Sequence, residues 1–156
     1  NNKTKTPSVT VKDSKGNTLK KGTDYTVTYL KKRKSIGKYT VTVTFKGNYS
    51  GTKKLTFEIV PAKATLSKLT AGKKQLTATW KTVSGVTGYE VQYSTSKKFT
   101  KKTTKTVTIK KAKTKKTTIK KLTKGKKYYV KVRAYKTVSG KKIYGAYSAV
   151  KNVKVK

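Results

Sequence analysis

Residues 114–135 read "TKKTTIKKLTKGKKYYVKVRAY", and this stretch decides the fold. Between its lysines, apolar side chains recur at every second position from Tyr128 to Ala134. Successive side chains of a strand point to opposite sides, so the alternation predicts a strand with one buried and one solvated face. The buried face would carry Tyr128, Val130, Val132 and Ala134, and the solvated face Tyr129, Lys131, Arg133 and Tyr135.

The same alternation continues on both sides of this strand, through residues 63–156. It recurs in "LTAGKKQLTATW", "GYEVQYS", "KTVTIKK", "KTTIKKL" and "GAYSAVKNVKVK", with turn residues between the segments. We count seven strands, which indicates a β-sandwich. The side chains predicted to face its core are Leu76, Ala78, Trp80, Tyr89, Val91, Tyr93, Val107, Ile109 and Ile119.

Residues 1–62 show the pattern of a smaller unit. "SVTVK", "DYTVTY", "KYTVTVTF" and "KLTFEIV" each alternate, and a turn such as "DSKGN" or "KGNYSG" follows two of them. The predicted inward residues are Val9, Val11, Tyr25, Val27, Tyr29, Tyr39, Val41, Val43, Phe45, Leu55, Phe57 and Ile59. The fold class is therefore all-β, with two small antiparallel domains in tandem, 1–62 and 63–156. A short linker, "VPAKA", would join them and be stiffened by Pro61.

Composition excludes most catalytic chemistry. The 156 residues contain no His and no Cys, which removes zinc sites, thiol nucleophiles, His-based triads and disulfide frameworks. The only acids are Asp13, Asp24, Glu58 and Glu90, and their spacing suggests no shared cleft for a carboxylate pair. We therefore expect no enzyme, no metal and no cofactor. No apolar run is long enough to span a membrane, and any export signal would lie outside this stretch.

The first domain resembles a small bacterial Ig-like repeat found in exported proteins of Gram-positive anaerobes. The resemblance is carried by "LKKGTDYTVTY", "IGKYTVTVTFKGNYSGT" and "FEIVPA". It implies a spacer or display module without chemistry of its own. Members of that family usually have more chain before this point, so "NNKTKTP" (1–7) is expected to be the tail of a truncated first strand.

The second domain resembles a fibronectin type III domain over residues 65–156. The motifs are Trp80 on the second strand, "GYEVQYS" on the third, Leu122 followed six residues later by Tyr128, "YYVKVRAY", and "GAYS" before the end. The resemblance implies a seven-stranded sandwich in which the Tyr128 hydroxyl pins the corner near Leu122. Lys124 stands where the family often has Pro. The loop "KTVSGKKIYG" contains no Arg-Gly-Asp, so integrin binding does not follow.

Charge is the main indication of function. Residues 1–62 carry 14 Lys and Arg and three acids, a formal charge of +11, and residues 63–156 carry 28 and one acid, +27. Between Lys97 and Lys131 there are 16 lysines in 35 residues and no acid. Such a field attracts flexible polyanions. We expect a monomeric spacer and attachment module of a larger secreted or surface protein of a Gram-positive bacterium, in contact with other domains of its parent chain. Its basic faces would retain it on anionic cell-wall polymers or acidic glycans, and would bind nucleic acid non-specifically.

A second hypothesis stays open: a specific binding module for nucleic acid or sulfated glycans on the outer face of the second domain. Tyr129 and Tyr135 would stack on rings while cations hold the anions. The simpler interpretation is a solvated face on which Arg133 forms a surface ion pair with Glu90. The candidate polyanion-binding residues are Lys97, Lys98, Lys101, Lys102, Lys110, Lys111, Tyr129, Lys131, Arg133, Tyr135, Lys141 and Lys142.

Overall fold

The computed structural model describes residues 3–156, and these form eleven β-strands and no helix. The first unit runs to Ile59, and the second from Val60 to Lys156. Three strands belong to the first unit: β1 (Tyr25–Tyr29), β2 (Gly37–Phe45) and β3 (Thr52–Ile59). Eight belong to the second: β4 (Thr65–Gly72), β5 (Gln75–Lys81), β6 (Gly88–Ser94), β7 (Thr104–Ile109), β8 (Lys116–Ile119), β9 (Lys127–Val138), β10 (Lys141–Tyr144) and β11 (Lys151–Lys154).

The first unit is an antiparallel sheet in the order β1-β2-β3. Its small core consists of Leu19, Tyr25 and Val43, with partly buried Val9, Val11, Val27, Phe45 and Tyr49 packed against it. Threonines alternate with the valines of β2 because the strand has one buried face, as the sequence predicted.

The predicted strand "SVTVK" does not form. This segment contributes one isolated bridge, Lys12 to Thr18. The Tyr25 hydroxyl donates to the carbonyl of Val9 at 3.2 Å, and the Tyr29 hydroxyl donates to that of Pro7. These tyrosine side chains therefore satisfy backbone carbonyls that a strand would have paired in a ladder.

Two further expectations for the first unit need correction. Leu55 was predicted to face inward but is 40% exposed, because β3 is an edge strand that pairs only with β2. Its inward neighbour Phe57 is half-buried and stacks on Tyr39, with ring centroids 5.6 Å apart. Residues 3–7 of "NNKTKTP" form no strand, and Asn1 and Asn2 lie outside the described residues.

The second unit has two antiparallel sheets. One has the order β4-β5-β8, and the other β10-β9-β6-β7, with β11 also paired to β9. Strands β10 and β11 pair with the two halves of β9, so together they form the seventh strand of the sandwich, interrupted in the middle. The predicted seven-stranded sandwich is therefore confirmed. The predicted loop before the last strand contained residues 141–144, which are strand β10. The interruption falls at Gly145, where a Cβ would lie 2.7 Å from the carbonyl oxygen of Pro61.

The core of the second unit lies between these sheets. Trp80 and Tyr89 pack with ring centroids 5.3 Å apart, and both are buried, as the sequence predicted. The Tyr128 hydroxyl accepts a hydrogen bond from the Thr123 amide at 3.2 Å, which forms the expected corner beside Leu122. Tyr93, Val107 and Ile109, also predicted inward, are half-buried because they lie towards the open edge at β7.

The segment "VPAKA" is part of the second unit. Pro61 and Ala64 are buried, and Pro61 lies against Gly145. The predicted short linker therefore packs on the second unit through its proline and alanine.

Candidate polyanion-binding surface

Strand β9 presents the predicted outer face of the second unit. Its inward residues, such as Val130 and Val132, are fully buried. Lys131 and Arg133 therefore point to the other side of the sheet, where their cross-strand partners on β6 are Gln92 and Glu90.

Glu90 is the centre of a charged network on this face. Arg133 donates to its Oε2 from Nη2 at 2.8 Å and from Nε at 3.2 Å. Lys142 Nζ donates to Oε1 at 3.0 Å, and the Tyr144 hydroxyl donates to the same oxygen at 2.8 Å. The predicted pair with Arg133 is thus present, but Glu90 is only 6% exposed, so its carboxylate is buried beneath the partly exposed side chains of Arg133 and Lys142.

The network determines the ionisation of its members. Burial opposes the charge of Glu90, but hydrogen bonds from Arg133, Lys142 and Tyr144 outweigh it and hold the pKa of the carboxyl below its usual value. The hydrogen bond to Glu90 raises the pKa of Lys142 in turn. The pKa of Tyr144 is raised, first by burial and then by its hydrogen bond to Glu90.

Aromatic rings cover the same cations and continue the network along the face. Lys131 Nζ lies 4.1 Å from the ring centroid of Phe99 and 4.3 Å from that of Tyr147. The Arg133 guanidinium carbon lies 4.6 Å from the Tyr147 centroid and 3.6 Å from the Tyr144 centroid. We call this arrangement the cation–aromatic ladder; its members are Phe99, Lys131, Tyr147, Arg133, Tyr144, Lys142, Tyr135 and the central Glu90.

The ladder contacts are of the kind that stabilise a fold. A cation over an aromatic ring within about 6 Å contributes roughly 0.5–1 kcal/mol at exposed sites and more when water is excluded. The pKa of Lys131 is lowered, first because burial disfavours its charge and second because Arg133 is near. Lys131 therefore directs its charge towards two rings, while Arg133 and Lys142 direct theirs towards Glu90 and the rings, and all three also face solvent.

Tyr135 is not the exposed stacking residue that alternation predicted. It is 2% exposed, and its hydroxyl donates to the carbonyl of Ile109 on β7 at 3.4 Å. Its cross-strand partner on β6 is Gly88, which has no side chain, so the ring lies across β6 and reaches the next strand. A Cβ at Gly88 would lie 3.0 Å from this hydroxyl and 2.0 Å from the Ile109 carbonyl oxygen.

The remaining predicted residues lie elsewhere on the surface. Lys97, Lys98, Lys101 and Lys102 occupy the β6–β7 connection, Lys110 and Lys111 follow β7, and Lys141 begins β10; all are exposed. Tyr129 is half-buried near the start of β9. The structure thus brings Lys131, Arg133, Tyr135 and Lys142 together and leaves the other lysines in contact with solvent.

Sequence reasoning missed a second place where lysines converge. A cleft of about 610 Å³ opens at the edge strands β7 and β8. Of its lining residues, only Lys102 was among the predicted polyanion-binding residues. We call it the lysine cleft; it is lined by Tyr93, Thr95, Lys102, Thr103, Lys105, Lys120, Lys121, Leu122, Thr123 and Tyr128. The four lysines lie on three separate segments, so no run of sequence reveals their grouping.

The described residues contain neither a cluster of metal-binding side chains nor a membrane-spanning helix. Residues 3–156 contain no group of three or more His, Cys, Asp or Glu side chains that could hold a metal ion. Within the same range no helix has the length and apolar character needed to cross a membrane.

Comparison with known proteins extends these observations. The sequence model of the family described as fibronectin type III domain matches residues 60–148. A crystal structure of the FN1–FN3 domains of chicken CNTN1 is similar at 16% identity and a TM-score of 0.49, covering 78% of this chain and 42% of that one. A two-domain fibronectin type III segment of chicken tenascin is similar at 18% identity and a TM-score of 0.53, covering 76% of this chain and 65% of that one.

The chain therefore spans less than two thirds of the length of either structure. At 18% identity the likeness to the tenascin segment concerns the fold alone. No curated protein matches the chain.

Proposed function

Because the chain belongs to the fibronectin type III family through residues 60–148, we propose that it is a non-catalytic module of a larger exported protein, retained by exposed lysines on the anionic polymers of a Gram-positive cell wall. Fibronectin type III domains are binding or spacer modules. The first unit acts in this proposal as an Ig-like spacer of the same parent chain.

The observation that carries the proposal is the excess of unpaired lysines in the second unit. Residues 60–156 are all described, and they contain 28 Lys and Arg but one acidic side chain, Glu90. Glu90 pairs with two of them, Arg133 and Lys142. The other 26 cations have no acidic side chain in their own unit to neutralise them.

Such a surface favours a flexible, repeating anion over a single small one. Each phosphate that contacts a lysine releases condensed counterions, so affinity falls steeply as salt rises. At physiological ionic strength, charges more than about 8 Å apart are largely screened, which makes many short-range contacts necessary. An anionic wall polymer supplies many charges close to the exporting cell.

The ladder argues against the alternative of base stacking on the outer face. The ring of Tyr135 is buried, and the faces of Tyr144 and Tyr147 already carry cations. Nucleic acid is therefore expected to bind through charge alone, without the contribution of about 1–3 kcal/mol per stacked base.

Retention on purified cell walls tests the proposal. The protein is mixed with walls that retain or lack teichoic acid, across a series of salt concentrations. We expect strong binding to the complete walls, lost as salt rises, and weak binding to the stripped walls. Equal binding to both kinds of wall would contradict the proposal.

A further inference from the structure

The lysine cleft lies where the two sheets of the sandwich part. Strand β7 pairs only with β6, and β8 only with β5, so each is the edge of its sheet. Between them the half-buried ring of Tyr93 and the buried ring of Tyr128 form the floor, with centroids 6.3 Å apart and planes tilted by 47°. The cleft is an open surface groove with a volume of about 610 Å³.

The first feature of the cleft is an exposed lysine on the inward-facing phase of edge strand β7. Along β7 the side chains of Ile109, Val107 and Lys105 lie opposite Tyr89, Val91 and Tyr93 of β6. Directly paired residues share a face of the sheet, so Lys105 continues the inward stripe of Val107 and Ile109. The apolar stripe therefore ends in a cation at the mouth of the cleft.

The second feature is a pair of consecutive lysines on the opposite wall. In an extended strand Lys120 and Lys121 would point to opposite faces, yet both line the cleft. Lys121 has a φ of 59°, a left-handed conformation that costs a non-glycine residue roughly 1 kcal/mol or more. This left-handed residue interrupts the extended alternation, which allows two consecutive lysines to line the same cleft.

The third feature is the chemistry of the remaining lining. The lining includes Thr95, Thr103 and Thr123 and no acid, and the Thr103 hydroxyl is itself hydrogen-bonded to the hydroxyl groups of Ser94 and Thr100. Burial, followed by the proximity of Tyr128, raises the pKa of Tyr93, so its hydroxyl stays protonated and adds no negative charge at neutral pH. An anion entering the cleft meets four cations, hydroxyl groups and an aromatic floor.

We propose that the lysine cleft is a subsite for a short segment of a phosphate-bearing carbohydrate chain, with its phosphates on Lys102, Lys105, Lys120 and Lys121 and its carbon skeleton on Tyr93. This proposal rests on the proposed retention at anionic wall polymers. The lysine cleft is the part of the surface that binds them. Hydroxyl groups of the carbohydrate meet the threonines of the lining.

The geometry of the floor excludes one mode of nucleic-acid binding. Because Tyr93 and Tyr128 are tilted against each other and Tyr128 is only 7% exposed, a flat base cannot lie between two parallel rings in the cleft. A sugar or polyol can use the single ring face of Tyr93 together with nearby hydroxyl groups.

Calorimetric titration with a short synthetic glycerol phosphate oligomer tests the subsite. The cleft variant is K102Q/K105Q/K120Q/K121Q, and the matched control is K63Q/K68Q/K73Q/K81Q, which removes four exposed lysines of the same unit that lie outside the cleft and outside the predicted binding residues. Fluorescence of Trp80, the only tryptophan, verifies that both variants are folded. At physiological salt we expect the cleft variant to bind at least about tenfold more weakly than wild type, and the control within about threefold.

Each other outcome contradicts a defined part of the inference. Equal weakening in both variants would show diffuse charge binding and overturn the subsite, while leaving wall retention intact. Loss of wall retention with the oligomer still bound in the cleft would instead overturn the proposed function. If oligothymidylate with the same number of phosphates binds as well, with the same dependence on the cleft lysines, the carbohydrate assignment is wrong.

Discussion

The cation–aromatic ladder and the lysine cleft use the same kind of side chain in opposite ways. In the ladder, Arg133 and Lys142 converge on buried Glu90, and aromatic rings cover them. In the cleft, four lysines converge on a space with no acid. Removing the acid of the ladder would leave two cations without their partner, whereas the cleft lysines have no acid among the lining residues and, in our proposal, meet a ligand.

The largest expected effect comes from neutralising the acid of the ladder. Glu90→Gln leaves Arg133 and Lys142 close together without their carboxylate, and we expect it to destabilise the second unit by about 2–4 kcal/mol. Urea unfolding followed by Trp80 fluorescence measures this. Gln92→Ala, two residues along the same face, is the control and should cost less than about 1 kcal/mol. Equal losses would mean that the carboxylate has no special role.

The stability that the Glu90 carboxylate contributes should depend on pH. The pKa of Glu90 is lowered in the folded protein, so its contribution is complete above its unfolded pKa, near 4.5. The contribution is lost as pH falls through the folded pKa. The difference in melting temperature between wild type and Glu90→Gln should therefore be large at neutral pH and shrink under acid conditions. A difference that stays constant down to low pH would contradict the ionised network.

A smaller effect is expected from one hydroxyl group of the ladder. Tyr144→Phe removes a donor to the Glu90 carboxylate but keeps the ring beneath Arg133. Hydrogen bonds to charged groups contribute about 1.5–3 kcal/mol, and we expect a loss near the lower end because two cations remain. Tyr129→Phe, on the same face of β9, should change the unfolding free energy by less than about 0.5 kcal/mol. A loss for Tyr129→Phe as large as that for Tyr144→Phe would contradict the network.

The smallest effect on stability is expected in the cleft. K102Q/K105Q/K120Q/K121Q should leave the unfolding free energy within about 0.5 kcal/mol of wild type or raise it, because it removes like charges at exposed positions. Urea unfolding gives the value. A loss comparable to that of Glu90→Gln would show that the cleft lysines are structural, and the contrast between the two regions would fail.

Alternation along single strands predicted most of the fold. The buried stripes of β5, β6 and β9 follow from period two, because each strand packs one face against the other sheet. The corner at Leu122 and Tyr128 and the burial of Trp80 also follow from the sequence. These features depend on neighbours within one segment.

The errors arose where a distant strand decides the environment. Tyr135 is buried because Gly88, on another strand, leaves room for its ring. Glu90 is buried because Tyr144 and Lys142 reach it from β10, a strand that was predicted as loop. The lysine cleft gathers its residues from three segments, and local spacing carries no information about such a grouping.

Wall retention of two charge-matched variants tests most directly whether stabilising and ligand-binding cations are different sets of residues. K131Q/K142Q removes two ladder cations, and K97Q/K98Q removes two exposed loop cations. Both are compared on walls that carry teichoic acid, at low salt and at a temperature where Trp80 fluorescence shows them folded. We predict that K97Q/K98Q lowers retention more, while K131Q/K142Q lowers the urea midpoint more. Greater loss of retention in K131Q/K142Q would contradict the division between stabilising and ligand-binding cations.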